Sequence, residues 1–190
     1  MYRVEVKGIE EHVPDEGPAL IVCNHVSYMD ALILGGVIPR PTRFVMYYKI
    51  FQIPVASWFF KTARAIPIAG AKEDPELMQK AFDEVDKALS EGEIVGIFPE
   101  GKLTTDGEIA EFKSGVEKIL ARRPVPVVPI ALKGMWSSMF SKRDSKLGRL
   151  RIPRRIRADI EVEAGPPVAG TEATAELLEA KVKTMRGNRA

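Results

Sequence analysis

The stretch Ala19-Leu20-Ile21-Val22-Cys23-Asn24-His25-Val26-Ser27-Tyr28-Met29-Asp30 decides the fold. Its first five residues are apolar without interruption, the pattern of a strand covered on both faces rather than on one. A polar loop with a histidine follows, and Met29 to Gly36 then reads as a helix. A buried strand feeding a helix through a short loop is the repeating unit of α/β layered domains. The alternation continues along the chain. Further strands are expected at Arg3 to Lys7, Arg43 to Tyr47, Ile94 to Phe98, Val125 to Leu132 and Ile156 to Glu163, and further helices at Phe51 to Thr62, Pro75 to Glu91, Lys113 to Ala121 and Thr171 to Met185. The plainest helix is Pro75 to Glu91: Asp74 suits its cap and Pro75 its first turn, Leu77, Ala81, Val85, Ala88 and Leu89 make one apolar face, and Gly92 ends it. The expectation is an α/β fold, a single layered domain over residues 1–190 with a mostly parallel central sheet flanked by helices.

Composition agrees with one globular core. The 190 residues are 45% hydrophobic and 28% charged, which excludes disorder, collagen and a disulfide scaffold. Lys plus Arg number 28 against 26 acids, a net charge of +2, so nucleic acid is not an expected partner. The single cysteine, Cys23, sits inside an apolar run and reads as a small buried hydrophobe in a reducing compartment. The N-terminus alternates like a strand rather than forming the apolar core of a signal peptide. The longest weakly polar runs of the chain, 31–39 and 124–132, are half the ~20 residues a spanning helix needs, so no segment is expected to cross a bilayer. There is no Cys/His cluster and no glycine-rich phosphate loop, so neither a metal nor a cofactor is expected.

Two places can carry chemistry. His25 lies just past a buried strand, at the carboxyl edge where open α/β sheets place their sites. Asp30 follows five residues later, and a tight turn can bring its carboxylate to one ring nitrogen, fixing the tautomer and leaving the other nitrogen as a base. The competing reading is a structural histidine beside a helix-capping aspartate. The second place is Pro99-Glu100-Gly101-Lys102, where a carboxylate and a lysine emerge from a turn at a strand end. Its competing reading is a turn carboxylate bound to nearby backbone.

Asn24-His25 with Asp30, then Phe98-Pro99-Glu100-Gly101, then Val125-Pro126-Val127-Val128-Pro129-Ile130 resemble, in order and spacing, the motifs of glycerolipid acyltransferases. The similarity runs from about Gly17 to Trp136, and the run from Phe98 to Gly107 is similar to the acyltransferase part of bacterial bifunctional 2-acylglycerophosphoethanolamine acyltransferase/acyl-acyl-carrier-protein synthetases. Some of those domains are fused to a lysophospholipid transporter, so the chain is expected to be one acyltransferase domain, complete or taken from a longer protein. The resemblance implies a glycerol-3-phosphate acyltransferase-like fold. It also implies transfer of a fatty acyl group from a thioester of acyl carrier protein or coenzyme A to a lysophospholipid hydroxyl. His25 then takes the hydroxyl proton and Asp30 orients the ring and stabilises the imidazolium. Backbone N–H groups near the His25 loop or the next helix start would hold the oxyanion. Asn24, Glu100 and Gly101 fall among the substrate-binding positions by the same resemblance, with Glu100 and Gly101 positioning the acceptor's glycerol part.

The sequence departs from the family in one respect. Members that acylate lysophosphatidic acid commonly carry Gly-Thr-Arg after the Pro-Glu pair, where this chain has Gly101, Lys102 and Leu103, and an arginine two residues after an Ile-Pro-Ile-like strand, where this chain follows Ile66-Pro67-Ile68 with Ala69 and Gly70. A phosphate monoester is best held by bidentate arginine, whereas a diester accepts fewer, single-point contacts. This favours an acceptor with an intact head group such as lysophosphatidylethanolamine, with phosphatidic acid synthesis as the alternative. Lys102, Arg64 and Lys49 are the candidate phosphate ligands, each with a solvated surface cation as its competing reading.

A lysolipid acceptor implies a membrane surface as partner, at the cytoplasmic face of the inner membrane. Tyr47 to Lys61 packs aromatic and aliphatic residues between lysines, which suits an interfacial helix or a wall of an acyl groove, against a buried core helix. Lys142 to Arg157 holds eight basic residues against Asp144 alone, a net +7, and suits anionic lipid or an acidic acyl carrier protein. Nearby Met135, Trp136, Met139 and Phe140 are apolar where a loop is expected and favour the membrane. Two other classes stay open: a lipid-binding module that releases no thiol, and a hydrolase that uses the same base on water.

Overall fold

In the computed structural model, which describes residues 3–27, 29–135 and 159–188, seven strands form one sheet. In chain order they are β1 (Arg3–Lys7), β2 (Ala19–Cys23), β3 (Thr42–Tyr47), β4 (Ile66–Ile68), β5 (Ile94–Ile97), β6 (Val127–Lys133) and β7 (Asp159–Ala164). Across the sheet the order is β1-β7-β6-β2-β5-β3-β4. Only the β6–β7 pair is antiparallel among the described strands. β2 lies in the middle, between β5 and β6, and every residue of these three strands is buried. That is why they read as unbroken apolar runs.

The helices are α1 (Ile9–His12), α2 (Asp30–Val37), α3 (Pro54–Thr62), α4 (Pro75–Ser90), α5 (Gly115–Arg122) and α6 (Ala175–Arg186). Successive strand residues go to opposite faces. Leu20 and Val22 of β2 pack with Val85 and Leu89 of α4, Ile119 of α5 and Leu178 of α6. Ala19, Ile21 and Cys23 pack on the other face with Ile9 of α1 and Leu34 of α2. Asp74 caps α4 by accepting from Leu77 N at 2.9 Å. Beyond the core, Lys133 of β6 donates to Glu161 at 2.8 Å and to Glu163 of β7, and Lys7 of β1 donates to Glu161 at 3.1 Å.

The α/β fold with a mostly parallel, helix-flanked sheet is the one expected. Two short elements, α1 and β4, carried too few residues to show a period. The helix expected from Phe51 begins instead at Pro54, behind a 3-10 turn over Tyr48–Gln52. Proline disfavours helical backbone at the residue before it, and Ile53 is extended at φ −83, ψ 117. Met135 is 1% exposed in the core beside α2, so it is no membrane contact. The basic run 142–157, together with Trp136, Met139 and Phe140, lies outside the described residues, as do 156–158 at the start of the last expected strand. No helix among the described residues is long and apolar enough to cross a membrane.

Candidate active site

β2, β3, β5 and β6 run parallel, so the loops that leave their carboxyl ends share one edge. The β2 loop carries His25. Asp30, at the first position of α2 and fully buried, turns its Oδ2 back onto that loop and accepts from Val26 N at 2.7 Å and Ser27 N at 2.9 Å. The same oxygen lies 2.9 Å from His25 Nδ1. The helix amino end favours the carboxylate charge. With Nδ1–H donated to Asp30, the lone pair is on Nε2, and the His25 side chain is 23% exposed. Asp30 therefore serves the loop and the imidazole, not the cap of α2.

Behind the imidazole stands a stack. The Phe98 ring lies 4.2 Å from that of His25 at 19°, and Phe44 of β3 lies 6.0 Å behind Phe98 at 16°. Gly96 leaves the space for Phe44: a Cβ there would fall 2.5 Å from Phe44 Cε1. Neither phenylalanine was expected as part of the site. The signal available was Gly96, an isolated glycine inside an apolar strand, which marks a close approach.

Glu100 is 1% exposed. It accepts from His25 N at 2.6 Å through Oε1 and from Ala110 N at 2.8 Å through Oε2. Burial pushes its carboxyl above the ordinary glutamate range, opposed by those two bonds. Asn24 is also fully buried: it donates through Nδ2 to Leu132 O at 3.0 Å and accepts from Leu132 N at 2.8 Å, extending the ladder between β2 and β6 by one side chain. Both were expected to bind substrate, and the structure directs both to backbone that fixes the His25 loop. Thr104 N adds a bond to His25 O at 3.1 Å. The N–H groups of His25, Val26 and Ser27 are thus all taken by carboxylates, so of the two expected sources of an oxyanion hole this stretch of the loop supplies none.

The candidate cations fall in different places. Arg64, at φ 53, pairs with Glu93 at 2.5 Å, just before β5 begins. That is the amino edge of the sheet, so the structure does not bring Arg64 to His25. Lys49 follows β3 at the carboxyl edge but is held by Glu73 at 2.8 Å, whose carboxylate keeps the ammonium pKa raised. Lys102 is exposed beside Gly101, which adopts φ 66. Leu103 is 8% exposed, so a buried leucine occupies the position of the family arginine. No group of three or more His, Cys, Asp or Glu among the described residues is placed to hold a metal.

A cavity of about 390 Å³ runs along β3, lined by Ala31, Leu32, Gly35 and Gly36 of α2, by Phe44 and Met46 of β3, by Phe59 of α3, and by Pro41 and Ala65 at the amino ends of β3 and β4. α3 is no core helix: Trp58 is 71% exposed, and Ile53 and Phe59 are also exposed.

Relatives match the chain across these elements. A chloroplastic 1-acyl-sn-glycerol-3-phosphate acyltransferase of Brassica napus is 28% identical over 96% of this chain and 50% of its own length. The enzyme of that name from Bacillus subtilis is 31% identical over 73% of this chain and 68% of its own. An N-acylphosphatidylethanolamine synthase of Arabidopsis thaliana is 28% identical over 82% of this chain and 57% of its own. The chain spans about half the length of the plant 1-acyl-sn-glycerol-3-phosphate acyltransferases it matches. The fold matches the crystal structure of a 1-acyl-sn-glycerophosphate acyltransferase from Thermotoga maritima, with a TM-score of 0.77 at 22% identity over 97% of this chain and 70% of that one. A family model described as Acyltransferase matches residues 3–133, and on that match the chain belongs to the acyltransferase family.

Proposed function

We propose that this chain transfers a fatty acyl group from a thioester to the free hydroxyl of a lysophospholipid. The observation that carries the reading is the Asp30–His25 pair at 2.9 Å, made through Nδ1 on a histidine side chain that stays 23% exposed. Nε2 takes the hydroxyl proton as the oxygen attacks the thioester carbonyl, and the buried Asp30 carboxylate stabilises the imidazolium that forms. The tetrahedral intermediate collapses, the C–S bond breaks, and the thiolate leaves with the proton that His25 returns. No acyl-enzyme is needed. The donor is an acyl thioester of acyl carrier protein or of coenzyme A.

The cavity between α2 and α3 suits an acyl chain: it is mostly apolar, and its lining includes Ala31, the residue after Asp30. Exposed Trp58, Phe59 and Ile53 at α3 suit a membrane surface, from which a lysolipid enters, at the cytoplasmic face of the inner membrane. For the acceptor head, Leu103 and Gly70 in place of arginines favour a phosphodiester such as lysophosphatidylethanolamine. Of the cations expected from sequence, Lys102 is the one in the turn that carries Glu100, and it is exposed. A second reading, 1-acylglycerol-3-phosphate as acceptor, is favoured by the names of the relatives. Mass spectrometry of products formed from the two acceptors in competition decides: more diacyl phosphatidylethanolamine supports the diester, more phosphatidic acid overturns it.

A further inference from the structure

The proposed acceptor carries a phosphate, yet the cations expected from sequence serve it poorly. Arg64 lies at the wrong edge and Lys49 is neutralised by Glu73. Lys113 was not singled out by its sequence context, and the fold places it over the Glu100 turn. Its backbone N–H donates to Pro99 O at 3.0 Å, which pins the approach to α5 against the turn. Its side chain folds back across Gly101: a Cβ at that glycine would lie 2.6 Å from Lys113 Nζ and 3.3 Å from Cε. Gly101 thus has two reasons to be glycine, its φ of 66 and the ammonium above it.

That ammonium is exposed and has no hydrogen bond or ion pair among the described residues. The nearest acid in sequence to the turn, Glu100, is engaged with His25 N and Ala110 N. A cation in contact with the turn that holds the His25 loop, and without a counter-charge, is placed to receive an anion bound beside the imidazole. Its compact point charge suits a single contact to a phosphate oxygen, not a bidentate clamp.

We propose that Lys113 is the phosphate ligand of the acceptor and the residue that makes the site prefer phosphate-bearing lysolipids. This rests on the acyl-transfer reading above. The test compares the full chain with Lys113→Gln, Lys113→Arg and Lys102→Gln, using lysophosphatidylethanolamine and a phosphate-free monoacylglycerol as acceptors. Lys113→Gln is expected to raise the KM for lysophosphatidylethanolamine about tenfold or more with kcat little changed. Rates with monoacylglycerol should not move, so the preference between the acceptors collapses, and Lys113→Arg should restore most of it. Equal losses with both acceptors would reduce Lys113 to a strut for the turn and overturn the proposal. An unchanged KM, or a loss confined to Lys102→Gln, would overturn it too. Calorimetric binding of lysophosphatidylethanolamine below its micelle concentration reads the same discrimination without turnover. If the wild type transfers no acyl group, the acyl-transfer reading fails while calorimetry still decides Lys113: weaker binding in Lys113→Gln alone supports it, equal binding overturns it.

Discussion

Replacing the Asp30 carboxylate by an amide removes the charge that faces the imidazole. In Asp30→Asn the amide oxygen keeps the place of Oδ2, which accepts from Val26 N and Ser27 N and faces Nδ1, and the NH₂ takes the place of Oδ1, which is buried without a partner. The loop and the tautomer then stand, but the imidazolium that forms on taking the hydroxyl proton loses its counter-charge. Asp30→Asn should lower kcat about 10²- to 10⁴-fold with acceptor KM little changed, as measured by steady-state thiol release. A raised acceptor KM with normal kcat would contradict that stabilising role. At this scale the sequence was informative about chemistry and poor about direction. His25 and Asp30 were legible because five residues at a strand end leave room for one tight turn. Asn24 and Glu100 were legible as important, but whether a buried side chain meets substrate or backbone depends on β6 and on Ala110, which no local pattern reveals.

Among elements, the strand β5 and the turn after it hold the imidazole through a relay of rings. Gly96 admits Phe44, Phe44 backs Phe98, and Phe98 backs His25. Gly96→Ala should push Phe44 off its place, at a stability cost of about 1–3 kcal/mol. It should also lower kcat by about tenfold, because the general base moves by a fraction of an ångström. Trimming the obstruction in the double variant Gly96→Ala with Phe44→Leu should recover part of the stability seen in thermal melts. Additive losses would show that the two sites are not coupled. The long elements α4, β2 and β6 were readable because burial imposes a clear pattern over many residues. β4 was not, since three residues on a sheet edge with a proline at their centre carry no period.

For the whole molecule, two features lie away from the chemistry. The first is the ion network that joins β6, β7 and β1. Glu161 is held below the ordinary glutamate range by Lys133, against the cost of its burial, with Lys7 adding to the effect. Because its folded pKa lies below the unfolded value, this contribution is present above the ordinary carboxylate range and is lost as pH falls through the depressed value. Glu161→Gln should cost about 1–3 kcal/mol at pH 7 in urea unfolding, and the gap to wild type should close as the pH is lowered through that range. A gap independent of pH would mean that packing, not charge, sets the cost. The second is α3, whose exposed Trp58 and Phe59 stand beside the cavity. Trp58→Ser should weaken co-sedimentation with phosphatidylethanolamine/phosphatidylglycerol vesicles about tenfold, as burial of one large apolar side chain implies. Undiminished binding would remove α3 from the membrane surface.

The central claim is that His25 is the base of an acyl transfer. Its most direct test is thiol release from palmitoyl-coenzyme A and from an acyl carrier protein thioester, with and without lysophosphatidylethanolamine, in wild type and His25→Ala. Release should need the lysolipid and should fall about 10²- to 10⁴-fold in a mutant that still folds. Release without any acceptor would make the protein a thioester hydrolase, and undiminished release by folded His25→Ala would contradict the claim outright.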